Sequence, residues 1–296
     1  MKYIKLYSGI CILLFTIGMT AQQDPNRTFF RYNMNLINPA YTGIEEKTEL
    51  GINFRSQWSG VVGAPESQSV FFGTNLGKNT GLGISVINDR TFIESQTWVA
   101  VDFSYHLKLS EKTNLYFGLK AGANTYSANT QGLLLFDNNS DLALANLEGG
   151  FKANIGAGVL LKGADYFISF SAPRILEPQR LREESGLNTI SADRIHYYLA
   201  SGYDLRLSNK LVFKASALTR YVYASPLSLD LQGAFSINKR VEFGVAYRLD
   251  EGYGGLFIFN AAHWLDLGYH YGKANANSIR TGISNGSHEV FVKLTL

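Results

Sequence analysis

The residue types that carry most enzymatic chemistry are few and scattered in this 296-residue chain. It has five histidines, His106, His196, His263, His270 and His288. None lies in an HExxH pair, and no two share the tight spacing of metal ligands. There is no GxSxG elbow, no P-loop and no dinucleotide fingerprint. A hydrolase built into a barrel wall gathers its serine, histidine and acid from neighbouring strands. His106, His196 and His270 are the histidines such a site would draw on. The stretch DNNSDLALANLE (residues 137–148) imitates a calcium loop, with Asp137, Asn139 and Asp141 alternating and Glu148 in twelfth place. Its sixth position is Leu142, where the EF-hand turn requires glycine, so a plain polar loop is expected. The chain is therefore read as non-enzymatic, with no metal and no cofactor.

Charge and composition narrow the class. Charged residues make up 17% of the chain, below the roughly 25% of a soluble domain. Aromatic residues reach 13%, glycine is plentiful and proline scarce. Mean hydropathy is close to zero, which does not suit a helical membrane protein. The opening MKYIKLYSGICILLFTIGMTA has Lys2 and Lys5 before an apolar stretch too short to span a bilayer as a helix. It reads as a secretory signal peptide over residues 1–21. The single cysteine, Cys11, lies inside it, so the mature chain is expected to hold no thiol and no disulfide. Without Lys2 and Lys5, 25 basic residues face 24 acidic ones, with no basic run to bind nucleic acid. No later apolar run reaches about 20 residues, so no transmembrane helix is expected.

The pattern that remains is alternation. In VEFGVAYR (residues 241–248), Val241, Phe243, Val245 and Tyr247 point one way and Glu242, Gly244, Ala246 and Arg248 the other. Leu115, Phe117 and Leu119 oppose Tyr116, Gly118 and Lys120. Val99, Val101, Phe103 and Tyr105 oppose Asp102, Ser104 and His106. Leu227, Leu229 and Leu231 oppose Ser228, Asp230 and Gln232. A soluble sandwich puts such an apolar face in its core. A membrane barrel puts it toward lipid. Connection lengths separate the two. Short turns such as GKNT (77–80), SEKT (110–113), KGAD (162–165) and NK (238–239) alternate with mostly longer connections such as INDRTFIES (87–95), 124–150, 172–191 and 273–286. Barrels in the bacterial outer membrane have short periplasmic turns and long outer loops. About fourteen strands follow, and an even number places both termini in the periplasm. The expected fold is an all-β transmembrane antiparallel barrel over 48–296, after a periplasmic or lumenal segment over 22–47. Inward charges such as Arg55, Lys120, Lys214 and Arg248 line a pore or, pairing with Glu242, Asp230 or Glu289, fill it.

Several motifs resemble one family. They are the early QDP (23–25), INPAYTG (37–43), RSQW (55–58), GAPESQSVF (63–71) and GLGISVINDR (81–90), then SYHLKL (104–109), FGLKAG (117–122) and ISFSAPRIL (168–176). The chain is identified by them as resembling the PorP/SprF outer-membrane proteins of the Bacteroidota type IX secretion and gliding machinery, from about residue 22 to the end. It departs from that pattern after QDP, at Asn26, Arg27 and Phe29. The resemblance implies a non-catalytic, integral outer-membrane barrel supporting export or surface attachment of proteins with a C-terminal sorting domain, including gliding adhesins. It implies the type IX translocon, periplasmic motor components and such cargo as partners. A passive porin is the alternative. Ile37, Asn38, Pro39, Ala40, Tyr41, Thr42 and Gly43, with Arg55 and Trp58, are the candidate partner-docking or plug residues.

Overall fold

A computed structural model describes residues 27–129, 147–176, 179–184, 187–192, 194–275 and 286–296. The predicted signal peptide and most of the calcium-loop imitation lie outside them. Among the described residues four short 3-10 turns come first, Thr28–Tyr32, Met34–Leu36, Pro39–Tyr41 and Ile44–Glu46. Sixteen strands follow: β1 Glu49–Ser56, β2 Glu66–Gly77, β3 Thr80–Thr91, β4 Glu94–Lys108, β5 Asn114–Ala128, β6 Leu147–Lys162, β7 Tyr166–Ala172, β8 Gln179–Glu184, β9 Leu187–Ala192, β10 His196–Arg206, β11 Leu211–Val222, β12 Ser228–Ile237, β13 Val241–Arg248, β14 Gly252–Ala262, β15 Leu265–Ala274 and β16 Ser287–Thr295.

Fourteen of these close into one antiparallel barrel, and β8 and β9 pair only with each other. Closure is made by β1 against β16, in register from Glu49 opposite Thr295 to Ser56 opposite His288. A closed wall leaves no strand edge to be satisfied by lipid, which cannot hydrogen-bond. The hairpins follow local chemistry. Asn238 and Lys239 both have positive φ, 52° and 56°, the backbone that a two-residue turn between twisted strands requires.

The alternation works in the inverted sense. On β4, Val101 and Phe103 are 48% and 45% exposed, while Asp102 between them is 1%. On β5, Leu119 is 64% exposed and Lys120 only 2%. Large apolar side chains thus cover the outside and charged ones are shut inside, as in a wall whose solvent is hydrocarbon. No helix among the described residues is long and apolar enough to cross a membrane.

The structure differs from the sequence reading in three places. The connection expected over 87–95 is a two-residue turn, because β3 and β4 run on to Thr91 and back from Glu94. The long tract expected over 124–150 is shortened by β5 and β6, which extend to Ala128 and begin at Leu147. The tract expected over 172–191 contains the β8–β9 hairpin, whose QRLREE strand has no apolar alternation to mark it.

Candidate functional site: the segment inside the barrel

Residues 27–44 pack inside the barrel. Phe30, Met34, Ile37, Ala40 and Tyr41 form one buried cluster with inward side chains of the wall, Tyr116, Leu160, Phe167, Tyr198, Ala200 and Leu218. Phe29 forms a second with Ala234, Leu256, Ile258 and Phe291. Its ring stacks on Phe291 at 5.5 Å between centroids. The barrel therefore has two apolar surfaces, one facing outward and one facing this segment. Large apolar side chains on the inner wall would be costly beside water, and the segment covers them.

A 3-10 segment leaves many backbone groups without partners, and buried ones must find them. Here the wall supplies side chains. Carbonyl oxygens of Thr28, Asn35, Ile37, Thr42 and Gly43 accept from Gln232, Lys120, Ser171, Ser104 and Asn75. At the start of the segment, Glu289 is fully buried and accepts from four donors. They are Thr28 N at 2.8 Å, Phe29 N at 3.3 Å, Asn53 Nδ2 at 2.8 Å and Arg55 Nη1 at 2.7 Å. Arg55 also donates to the Thr28 hydroxyl at 3.1 Å. Further along, Arg31 pairs with Asp204, and the Tyr32 hydroxyl donates to Glu242.

The INPAYTG box is buried from Ile37 to Thr42. Ile37 is buried and ends one turn; Pro39 opens the next, a position where its missing N–H costs nothing. Asn38 is fully buried. Its Nδ2 donates to Ser169 Oγ at 2.7 Å and to the Val159 carbonyl at 3.1 Å, and its Oδ1 accepts from Ala40 N at 2.8 Å. Tyr41 meets Phe167 edge to face, with centroids 6.3 Å apart. Thr42 and Gly43 finish the box against β4 and β2 through the carbonyls already named. The wall makes room for it with glycine. A Cβ on Gly118 would lie 2.1 Å from Ala40 N, and one on Gly158 would lie 2.0 Å from Asn38 Oδ1.

Of the other candidates, Arg55 joins the segment through Glu289. Trp58 lies in the β1–β2 connection with φ 49°, beside a small cavity of about 60 Å³ that Arg55, Arg248 and His270 also line. The inward charges fill the interior. Arg55 pairs with Glu289 at 2.7 Å, Lys214 with Glu242 at 2.5 Å and Arg248 with Asp230 at 2.5 Å, while Lys120 takes Asp102 at 2.7 Å. The three histidines weighed for hydrolysis are apart: His106 is on β4 against Tyr116, His196 on β10 beside Tyr198, and His270 on β15 near Thr28. Among the described residues no group of three His, Cys, Asp or Glu side chains is placed to hold a metal. Sequence reasoning found the aromatic segment and the inner charges. It missed Asn53, whose only signal is a polar residue at an inward position, and Ser169 and Ser171, which stand in the ISFSAPRIL motif but carry no sign of the partners they meet.

The profile of the type IX secretion system membrane protein family PorP/SprF matches residues 19–294. The chain belongs to the PorP/SprF family. This PorP/SprF protein is thus a membrane β-barrel of a secretion-system family. No curated protein sequence matches it. Among solved structures it is similar to the outer membrane protein Omp33 of Acinetobacter baumannii, at 9% identity and TM-score 0.48, over 85% of this chain and 99% of that one. It is also similar to the NanC porin, at 10% identity and TM-score 0.42, over 84% of this chain and 100% of that one. For the KdgM porin the values are 9% and 0.37, over 84% and 99%. The family assignment rests on the sequence match over residues 19–294.

Proposed function

We propose that this PorP/SprF protein is a closed, non-enzymatic outer-membrane component of the type IX machinery. It supports export or surface attachment of proteins with a C-terminal sorting domain, and it works through contacts with translocon, motor and cargo proteins. Its short-turn end faces the periplasm and its long-loop end the exterior. The observation that carries the reading is the filled lumen: residues 27–44 and four inward-facing ion pairs, two of them fully buried, occupy the space a porin would leave to water. Family membership supplies the machinery. The INPAYTG box serves first as a plug that completes the barrel, since every residue from Ile37 to Thr42 is buried against the wall.

The test is a chain lacking residues 24–43, expressed in a strain without the native copy. Surface display of sorting-domain proteins is measured together with the heat-modifiable mobility that reports a folded barrel. A plug role predicts that folded barrel and surface display fall together. Display lost from a fully inserted barrel would make the box a docking element instead. Full display from the truncated chain would contradict both.

A further inference from the structure

The hairpin turns on the short-turn face carry an excess of positive charge. In barrel order they join β2 to β3, β4 to β5, β6 to β7, β10 to β11 and β12 to β13. Lys78, Lys108, Lys112, Lys210, Lys239 and Arg240 stand on or beside four of these turns. All are exposed, and none has an acidic partner among the described residues. The β6–β7 turn adds Lys162 and Asp165, the latter paired with Arg206 at 2.8 Å. Glu111, beside Lys112, is the acid left over. The excess ends toward β1, where Lys293 pairs with Glu49 at 3.3 Å and Glu46 stands next to Lys47. It is one-sided as well: on the long-loop rim the exposed Glu66 and Asp250 balance Arg90 and Lys273. Turn chemistry does not ask for these lysines. Lys78 and Lys239 have φ of 50° and 56°, left-handed backbone that glycine and asparagine take with less strain.

Neighbouring short turns lie two strands apart, about 10 Å along the rim. That is close to the screening length of about 8 Å at physiological salt, so their charges act together only on something that spans several turns. A free phosphate covers one. Lipid headgroups do not reach the whole arc either. Lys108 shares the register of Asp102 and Ser104, which point inward, while Leu107 and Leu109 beside it are exposed outward. Arg240 shares the register of Glu242, also inward. These two bases face the mouth of the barrel and not the lipid. We propose that the arc docks an acidic segment of a partner protein, whose carboxylates follow the rim of the mouth from β2 to β13. That this face is periplasmic rests on the orientation proposed above; the arc itself does not.

The probe is an oligoglutamate of about 20 residues, long enough when extended to follow the arc. Its binding to the full chain in phosphatidylcholine nanodiscs is measured by microscale thermophoresis at low and at physiological salt. The triple variant Lys78→Asn, Lys112→Gln and Lys239→Gly removes three charges and gives both left-handed positions a residue that suits them. Heat-modifiable mobility should therefore report a folded barrel. Binding is expected to weaken about tenfold or more in the triple variant, and to weaken with salt in the wild type. Arg90→Gln with Lys273→Gln, on the other rim, should leave binding within about twofold. No binding to the wild type, no loss in the triple variant, or equal losses in the two variants would overturn the proposal. So would displacement of the peptide by inorganic phosphate at equal concentration of charge. Phosphatidylglycerol co-purifying with the wild type but not with the triple variant, while oligoglutamate binds neither, would assign the arc to lipid and overturn it too. The readout uses purified protein, so a failed secretion role leaves this result unchanged, and a negative result here leaves that role to the surface-display experiment.

Discussion

Glu289→Ala is expected to lower the unfolding free energy of the barrel by about 3–5 kcal/mol, the range for removing one partner of a buried ion pair. The carboxylate is fully buried and Arg55 is nearly so, with the two charged atoms 2.7 Å apart. Without Glu289 the guanidinium is left buried and uncompensated, and the N–H groups of Thr28 and Phe29 and the amide of Asn53 lose their acceptor. Glu289→Gln keeps an acceptor but no charge and should lose less. The double variant Arg55→Met with Glu289→Leu should recover much of the loss, because an apolar pair of similar size needs no desolvation. A control is at hand in Asp165, whose pair with Arg206 lies at 2.8 Å but is largely exposed. Asp165→Ala should change stability by about 0–1 kcal/mol. Urea unfolding in detergent micelles, followed by tryptophan fluorescence and gel mobility, measures all four variants. Equal effects of Glu289→Ala and Asp165→Ala would contradict the anchoring role given to Glu289.

Gly118→Ala is the second large effect. The three atoms nearest the new Cβ are backbone: Ala40 N at 2.1 Å, Pro39 C at 2.4 Å and Ala40 Cα at 2.7 Å. No rotamer change relieves that contact, so either β5 or the INPAYTG box must move. The expected loss is about 1–3 kcal/mol, the range for overpacking a filled interior. Because ladders run unbroken past Gly118 on both sides of β5, the box is the part that yields. Residues 27–46 should then become cleavable by protease in an otherwise folded barrel. Gly150→Ala, where a Cβ meets nothing within 4 Å, should leave protection as it is. Unchanged protection in Gly118→Ala would mean that the box does not press on β5.

The outer wall was legible because lipid contact imposes one rule at every second position. Leu115, Phe117 and Leu119, or Val99, Val101 and Phe103, announce their direction without any knowledge of their neighbours. The even strand count followed from turns that carry their own chemistry, as Asn238-Lys239 does. The interior was legible only as composition. Phe29, Phe30 and Tyr41 offered apolar area, and Arg55, Lys214 and Arg248 took the acidic partners their inward positions suggested. Which partner each would take depends on the folded register: Thr28 and Glu289 are 261 residues apart, and nothing local links them. The same limit hid the glycine seats, since Gly118 reads as an ordinary small inward residue until the box lies against it. Strand ends were misjudged where polar residues continue a ladder, as Asn88, Asp89 and Arg90 do at the top of β3.

The central claim is that residues 27–44 close the barrel, and conductance in planar bilayers tests it most directly. Purified full-length protein, with heat-modifiable mobility verifying the fold, is reconstituted beside a variant lacking residues 27–43. The account predicts silence or only brief, rare openings from the full-length protein, and steady ion-conducting levels from whatever fraction of the variant inserts. A full-length protein with the stable open conductance of a porin, unchanged by the deletion, would contradict it.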